Sequence, residues 1–385
     1  MIKIPIKNYN DIHNKHFNNI RNYLEDCAQF YLNVFEILSG NYNIDDIYNN
    51  INHYDNYRTV NSWFQILLKP GNDISLNSIW NNILDRNIIK DNFIIEINNY
   101  RNLLDNFLDR ENLISFKSII VSEPLELLKI DSEIKKYSFL FINDKYRDES
   151  KSLLKKIFNY DKFTQNGFES WNAYELSRRL DVNVCPYCNR LYTFTIINED
   201  DRITRPELDH YLPKSKYPLF SLSFFNLIPS CNICNSQLKG DKELPVNKYW
   251  HPYIQEKGIE DKFNFKIDKI NDLMNDVEEI ELTINRADDN YTENQDTVTF
   301  DNMIKEIYKN HSNVVLNLLR KKYIYSKTFI KELQKLLSDR ELTEEYIYNV
   351  IFDIPKNKEE IINYSLGKLK IDILELIDNI KKSGI

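Results

Sequence analysis

Two Cys-x-x-Cys pairs constrain this chain more than any other feature: Cys185-Pro-Tyr-Cys188 and Cys231-Asn-Ile-Cys234, separated by 42 residues. Four thiolates carried on two such turns form a closed tetrahedral site, the geometry zinc prefers, and a closed site is structural. An iron–sulfur centre and a pair of redox-active dithiols are the rival readings of the same spacing. The gap is longer than a small zinc ribbon needs, so the chain between the pairs must form structure of its own. Closing the site brings residue 185 beside residue 234. Any polar group within or next to the loop then gains the rigid support that a precise site requires. The fifth cysteine, Cys27, lies on an apolar helical face and reads as core.

The remaining composition narrows the class. A chain of 385 residues that is 42% hydrophobic and 13% aromatic has a globular composition and ample length for a core. Its seven glycines include neither a GxxxxGK[ST] nor a GxGxxG arrangement, which argues against a phosphate-cradling loop. The formal charge of -8 does not advertise a nucleic-acid binder. The opening "MIKIPIKNYNDIHNKH" has no apolar signal core, and no stretch of about 18 apolar residues predicts a membrane span. The expectation is a cytoplasmic protein with reduced thiols.

Three regions are expected. Residues 1–159 read as helical: Ile20, Tyr23, Leu24, Cys27, Phe30, Tyr31, Val34, Ile37 and Leu38 recur at helical spacing up to a Gly40 stop. Further helices are expected near 59–69, 91–109 and 150–159, with His13, His16 and His53 solvated or locally bonded. Residues 160–255 concentrate Pro, Cys and aromatic residues. There "LYTFTIINEDDRITRPELDHY" predicts a β-hairpin, "NLIPSC" a short strand, and "NICNSQLKG" a short helix closed by Gly240. In residues 256–385, "FNFKI" and "IELTI" alternate as half-buried strands, followed by helices broken near Pro355.

Inside the loop lies Asp209-His210, then Asn226 in "FNLIPSC", and Asn235 directly follows the last cysteine. In this order, with the cysteine pairs around them, these residues resemble the HNH endonucleases, whose core is a ββα-metal fold. The strict pattern covers residues 185–240. More loosely, "WNAYELSRRLDVNVCPYCNR" and "KYWHPY" resemble longer HNH proteins of bacterial antiphage defence, including the Septu-type nuclease component that works with an ATPase partner. The resemblance implies a mainly α protein with a central α+β, zinc-supported HNH (ββα-metal) domain at 160–255.

The chemistry follows from residue types. His210 suits a general base near neutral pH. Asp209 points to the opposite strand face and suits a hard divalent ion, Mg²⁺ or Mn²⁺, with Asn235 offering a second oxygen. The resemblance makes Asn226 the residue that orients the His-bearing loop. Lys239, four residues after Asn235 on the same helix face, is placed to reach a phosphate, and Lys214 and Lys216 in "PKSKYP" lie near the same path. Where the family name implies a final His, this chain has Asn235; His251 in "HPY" is a further candidate for a supporting role. Residues 181–251 carry eight Lys or Arg and eight Asp or Glu, so weak intrinsic nucleic-acid binding is expected. The expected activity is metal-dependent phosphodiester hydrolysis, with DNA favoured by resemblance alone. The rival readings are a non-cutting zinc module that binds nucleic acid or protein, an RNA- or tRNA-directed nuclease with the same site, and a subunit silent without its ATPase.

Overall fold

A computed structural model describes residues 2–38, 91–165, 167–198, 202–246, 249–254, 262–267, 280–285, 294–337 and 342–382. The expected helix near 59–69, the Gly40 stop, His53 and the boundary near 255 lie outside the described residues. The described chain is mainly helical with short strands. No described helix is long and apolar enough to cross a membrane. Contacts gather into two units: Asp11–Leu176 with Leu212–Leu227, and Met1–Asn10 with Ser177–Tyr211 and Ile228–Ile385.

The first of these is helical. Its long α1, Ile12–Leu38, contacts α2, Asp91–Leu108, and α3, Phe116–Val121. Phe35 stacks on Tyr100, and Phe107, Phe116 and Phe158 meet edge to face or tilted, as ring quadrupoles favour. Cys27 is buried on α1, and burial pushes its thiol up to about 11. Ser115 caps α3 by accepting from the Ser118 N–H. His16 departs from expectation. It is fully buried, accepting from the Trp171 indole N–H at 2.9 Å while its other nitrogen meets the Leu222 carbonyl at 2.8 Å. The second contact fixes the proton on Nε2 in the neutral ring.

The second unit holds the four cysteines and the remaining strands. β3 (Ile196–Ile197) and β4 (Arg202–Thr204) form a small antiparallel hairpin, after an earlier two-strand turn of β1 (Phe141–Ile142) and β2 (Lys145–Tyr146) in the helical unit. The predicted hairpin therefore ends at β4. The following β5, Glu207–His210, pairs instead with β6, Leu227–Ser230. β7 (Lys262–Ile267) and β8 (Ile280–Asn285) pair antiparallel with Phe263 opposite Ile284, Phe265 opposite Leu282 and Ile267 opposite Ile280. That register puts both apolar rows on one face. Asn294 and Ser326 cap Gln295–Lys309 and Lys327–Leu336, and the helix Gly367–Lys382 contacts β7.

His16 gives a testable linkage. Burial lowers its pKa from 6.5 to about 4, against a backbone bond to Leu222 that raises it. A ring depressed in the folded state favours the neutral form, so its contribution is intact above pH 6.5 and is lost as pH falls toward 4. The full difference is on the order of 3 kcal/mol. Urea unfolding of the whole chain is expected to show a steeper loss of stability from pH 7 to 5 in the wild type than in His16→Gln, which cannot titrate. Equal slopes would remove His16 from the linkage.

Candidate metal and catalytic site

The four cysteine sulfurs lie within 4.8 Å of one another, and all four residues are buried. Such a set could bind a metal such as zinc: tetrahedral Zn–S bonds of about 2.3 Å place sulfurs inside that limit. Close packing sets the thiols against one another. Hydrogen bonds from Cys185 pull Cys188 and Cys231 down, while burial pushes Cys185 up and its bonds with the other three push Cys234 up. A divalent cation bound there would remove the conflict by taking all four as thiolates.

The first cysteine turn is gripped from three directions. Ile2 N–H donates to the Pro186 carbonyl at 2.9 Å. The Tyr308 hydroxyl donates to the Cys188 carbonyl. Asn189, in the left-handed region at φ 46°, accepts from Lys368 N–H at 2.8 Å and donates to the Ile361 and Tyr364 carbonyls. The second turn runs straight into the helix Ile233–Lys239, whose wide turns end where Gly240 N–H reaches back five residues to the Asn235 carbonyl. Gly240 closes it at φ 51°, a conformation that favours glycine.

β5 faces this helix with alternate residues. Asp209 is 2% exposed and both of its oxygens are engaged. Tyr187, from within the first cysteine turn, donates its hydroxyl to Oδ2 at 2.5 Å, and Lys239 Nζ lies 3.2 Å from Oδ1. Lys239 is fully buried and also donates to the His210 carbonyl at 2.7 Å. The sequence aims this lysine at a phosphate; the fold turns its ammonium inward, where it offsets a buried carboxylate. Burial still wins, holding the Asp209 pKa above the ordinary carboxylate value despite Lys239 and Tyr187. Two residues earlier on the same face, Glu207 accepts from Asn232 at 2.7 Å, Asn235 at 2.8 Å and Ser236 at 3.1 Å. Neither Tyr187 nor Glu207 stood out in the sequence, although Glu207 shares strand parity with Asp209.

His210 alternates to the other side of β5 and is 8% exposed. Asn226 belongs to the helical unit. Its carboxamide accepts from Leu212 N–H at 2.7 Å and donates to the Leu212 and Phe220 carbonyls at 3.1 and 3.0 Å, closing the loop that follows His210 in the chain. Lys214 and Lys216 in that loop are exposed, Lys214 lying 4.9 Å over the Tyr160 ring. His251 is buried, its ring 4.2 Å from that of Tyr211, and burial lowers it to about 3. It is a neutral core ring beneath the residue after His210.

For a hard divalent ion the donor set is suitable in kind: the carboxylates of Glu207 and Asp209 and the carboxamide oxygen of Asn235. An ionised carboxylate has about four lone-pair sites, so one hydrogen bond per oxygen leaves capacity at Asp209.

Two outcomes test this arrangement. Lys239→Met strands a buried carboxylate and is expected to cost about 3–5 kcal/mol in chemical unfolding, with much of the loss recovered by adding Asp209→Asn. An additive double variant would refute the pairing. Cys231→Ser is expected to drop bound zinc from about one ion per chain to a small fraction, with a large loss of stability, because structural zinc contributes about 10–16 kcal/mol of apparent binding energy. Undiminished metal content on elemental analysis would remove the four-cysteine assignment.

Comparison with known proteins finds two partial relatives. The chain is 36% identical to protein ea31 of Escherichia phage lambda over 72 residues, 18% of this chain and 21% of that protein. It is 31% identical to the Septu protein PtuB of Bacillus thuringiensis over 96 residues, 24% of this chain and 34% of that protein. The matches thus span about a fifth and a third of those two proteins. No protein-family profile and no solved structure matches the chain. These findings establish a distant likeness to a Septu protein.

Proposed function

We propose that this chain is a zinc-supported, divalent-metal-dependent endonuclease of the HNH type, acting on DNA in antiphage defence or restriction, with an ATPase as partner. One observation carries the chemistry. The strand bearing Asp209 and His210 is joined side chain to side chain, through Glu207–Asn235 and Asp209–Lys239, to a helix that starts within the four-cysteine cluster. Two paired strands and a helix with these residues in this order support the ββα-metal reading. The partial likeness to a Septu protein supports the defence role and the idea of a partner.

In this reading His210 takes the proton from the attacking water, and Asn226 keeps the backbone after it in register. Asp209 and Asn235 would hold the divalent ion, Mg²⁺ or Mn²⁺. When bound, the ion supplies Lewis-acid stabilisation of the phosphate and leaving oxygen. Tyr187 and Lys239 fix the Asp209 carboxylate. Lys214 and Lys216, exposed in the loop, contact the nucleic-acid backbone, which gives affinity without sequence choice. A non-cutting binding module is the second reading. The inward Lys239 favours it, because the ammonium already offsets the Asp209 charge.

Supercoiled plasmid separates the two. The zinc-loaded protein is expected to cut it with Mg²⁺ or Mn²⁺ and not with EDTA. His210→Ala is expected to lose about 10²–10⁴-fold in rate at unchanged zinc content. An RNA substrate run alongside fixes the substrate class. Failure to cut either nucleic acid, with the ATPase partner supplied, would leave the non-cutting module.

A further inference from the structure

The geometry points to Glu207 as a positioning residue for the divalent ion: its carboxylate holds the Asn235 carboxamide with the oxygen turned outward as a ligand. The inference rests on the nuclease reading and adds a residue to it. A carboxamide has two unlike ends, a donor NH₂ and an acceptor oxygen, and only the oxygen can bind a hard cation. Left to itself, an exposed Asn rotates between the two. Here Glu207 Oε2 accepts from Asn235 Nδ2 at 2.8 Å and from the Ser236 hydroxyl at 3.1 Å, while Oε1 accepts from Asn232 Nδ2 at 2.7 Å.

A carboxylate only accepts, so the Asn235 NH₂ must face it. The carboxamide oxygen then faces away, and among the described residues no donor meets it. The clamp has two anchors. Glu207 is fixed by β5, two residues before Asp209 on the same face, and Asn235 by the peptide bond to Cys234. Three neutral donors share the Glu207 charge, and no described cation pairs with it, in contrast to Asp209 with its lysine. The Glu207 carboxylate therefore lies beside the ligand oxygen without a described cation to offset it, where it also attracts a cation.

Orientation and charge make different demands, and replacing Asn235 separates them. An Asp at 235 presents an oxygen whichever way it rotates, so it needs no orienting partner. Mn²⁺ affinity of the zinc-loaded full chain, read by the loss of free-ion electron paramagnetic resonance signal, is the measurement. Glu207→Met is expected to weaken Mn²⁺ binding by at least about tenfold in the Asn235 background. In the Asn235→Asp background the same change is expected to cost less than about threefold, a coupling between neighbouring groups. Equal losses in both backgrounds would show a role through charge or folding alone and overturn the inference. So would an unweakened Glu207→Met. Zinc content and thermal midpoint, measured on every variant, identify misfolding. If Asn235→Ala leaves wild-type Mn²⁺ binding intact, or the wild type binds none, the metal-site reading itself fails and takes this inference with it. If Asn235→Ala weakens binding but the two Glu207→Met losses are equal, only the inference fails.

Discussion

The packing of four buried sulfurs sets what the second unit can be. Residues 185 and 234 are far apart in sequence, and a shared cation at their cluster would join them more strongly than any single hydrogen bond, by the difference between about 10–16 kcal/mol and about 1 kcal/mol. The rest of the unit is arranged around that point. The Ile2 backbone, the Tyr308 hydroxyl and the 361–368 segment all bond to the first turn within four residues of Cys185. The second turn leads directly into the helix that carries Asn235 and Lys239. Neither residue can shift against β5 without pulling on a cysteine.

Within each unit, buried polar groups are settled in three ways. Asp209 is charged-partnered: Lys239 and Tyr187 each take one oxygen. His16 and His251 are kept neutral by burial, which lowers both. The Asn226 carboxamide is satisfied by backbone alone, bonding to the Leu212 and Phe220 main chain. Pairing, neutralisation and backbone capture answer one desolvation cost, of about 1–3 kcal/mol for a neutral group and several for an ion. An Asp paired with a lysine, and histidines held neutral by burial, follow that ordering.

What was legible in the sequence was local or repeated. The alternation of Phe263, Phe265 and Ile267 against Ile280, Leu282 and Ile284 anticipates both strands of β7–β8, because a period of two survives without knowing the partner. The helix of "NICNSQLKG" and its Gly240 stop were legible for the same reason, as was the cysteine cluster. Contacts at long range were not. His16 meets Trp171 and Leu222, 155 and 206 residues away, and helical spacing carries no sign of either. The direction of Lys239 was hidden too. Spacing places it on the face of Asn235, but whether a long side chain lies over the surface or turns under it depends on a buried anion 30 residues upstream. Pairing of β5 with β6 instead of a long hairpin likewise depends on which partner strand the cysteine closure delivers.

The inward lysine bears on how such a site would keep its shape. A bare cluster of carboxylates repels itself: burial is the main reason the Asp209 pKa is raised, and Glu207 adds to it by that repulsion. One ammonium placed at the Asp209 oxygen and at the His210 carbonyl relieves the repulsion and holds the strand end that carries the imidazole. Preorganisation of this kind lowers the reorganisation needed when a cation or phosphate arrives. It also tempers affinity, since part of the Asp209 charge is already matched. Glu207, bound only by neutral donors, is then the less compensated acid on that face. On the proposed reading, a divalent ion would be drawn toward the Glu207–Asn235 end of the strand, away from the carboxylate that the motif alone would name first.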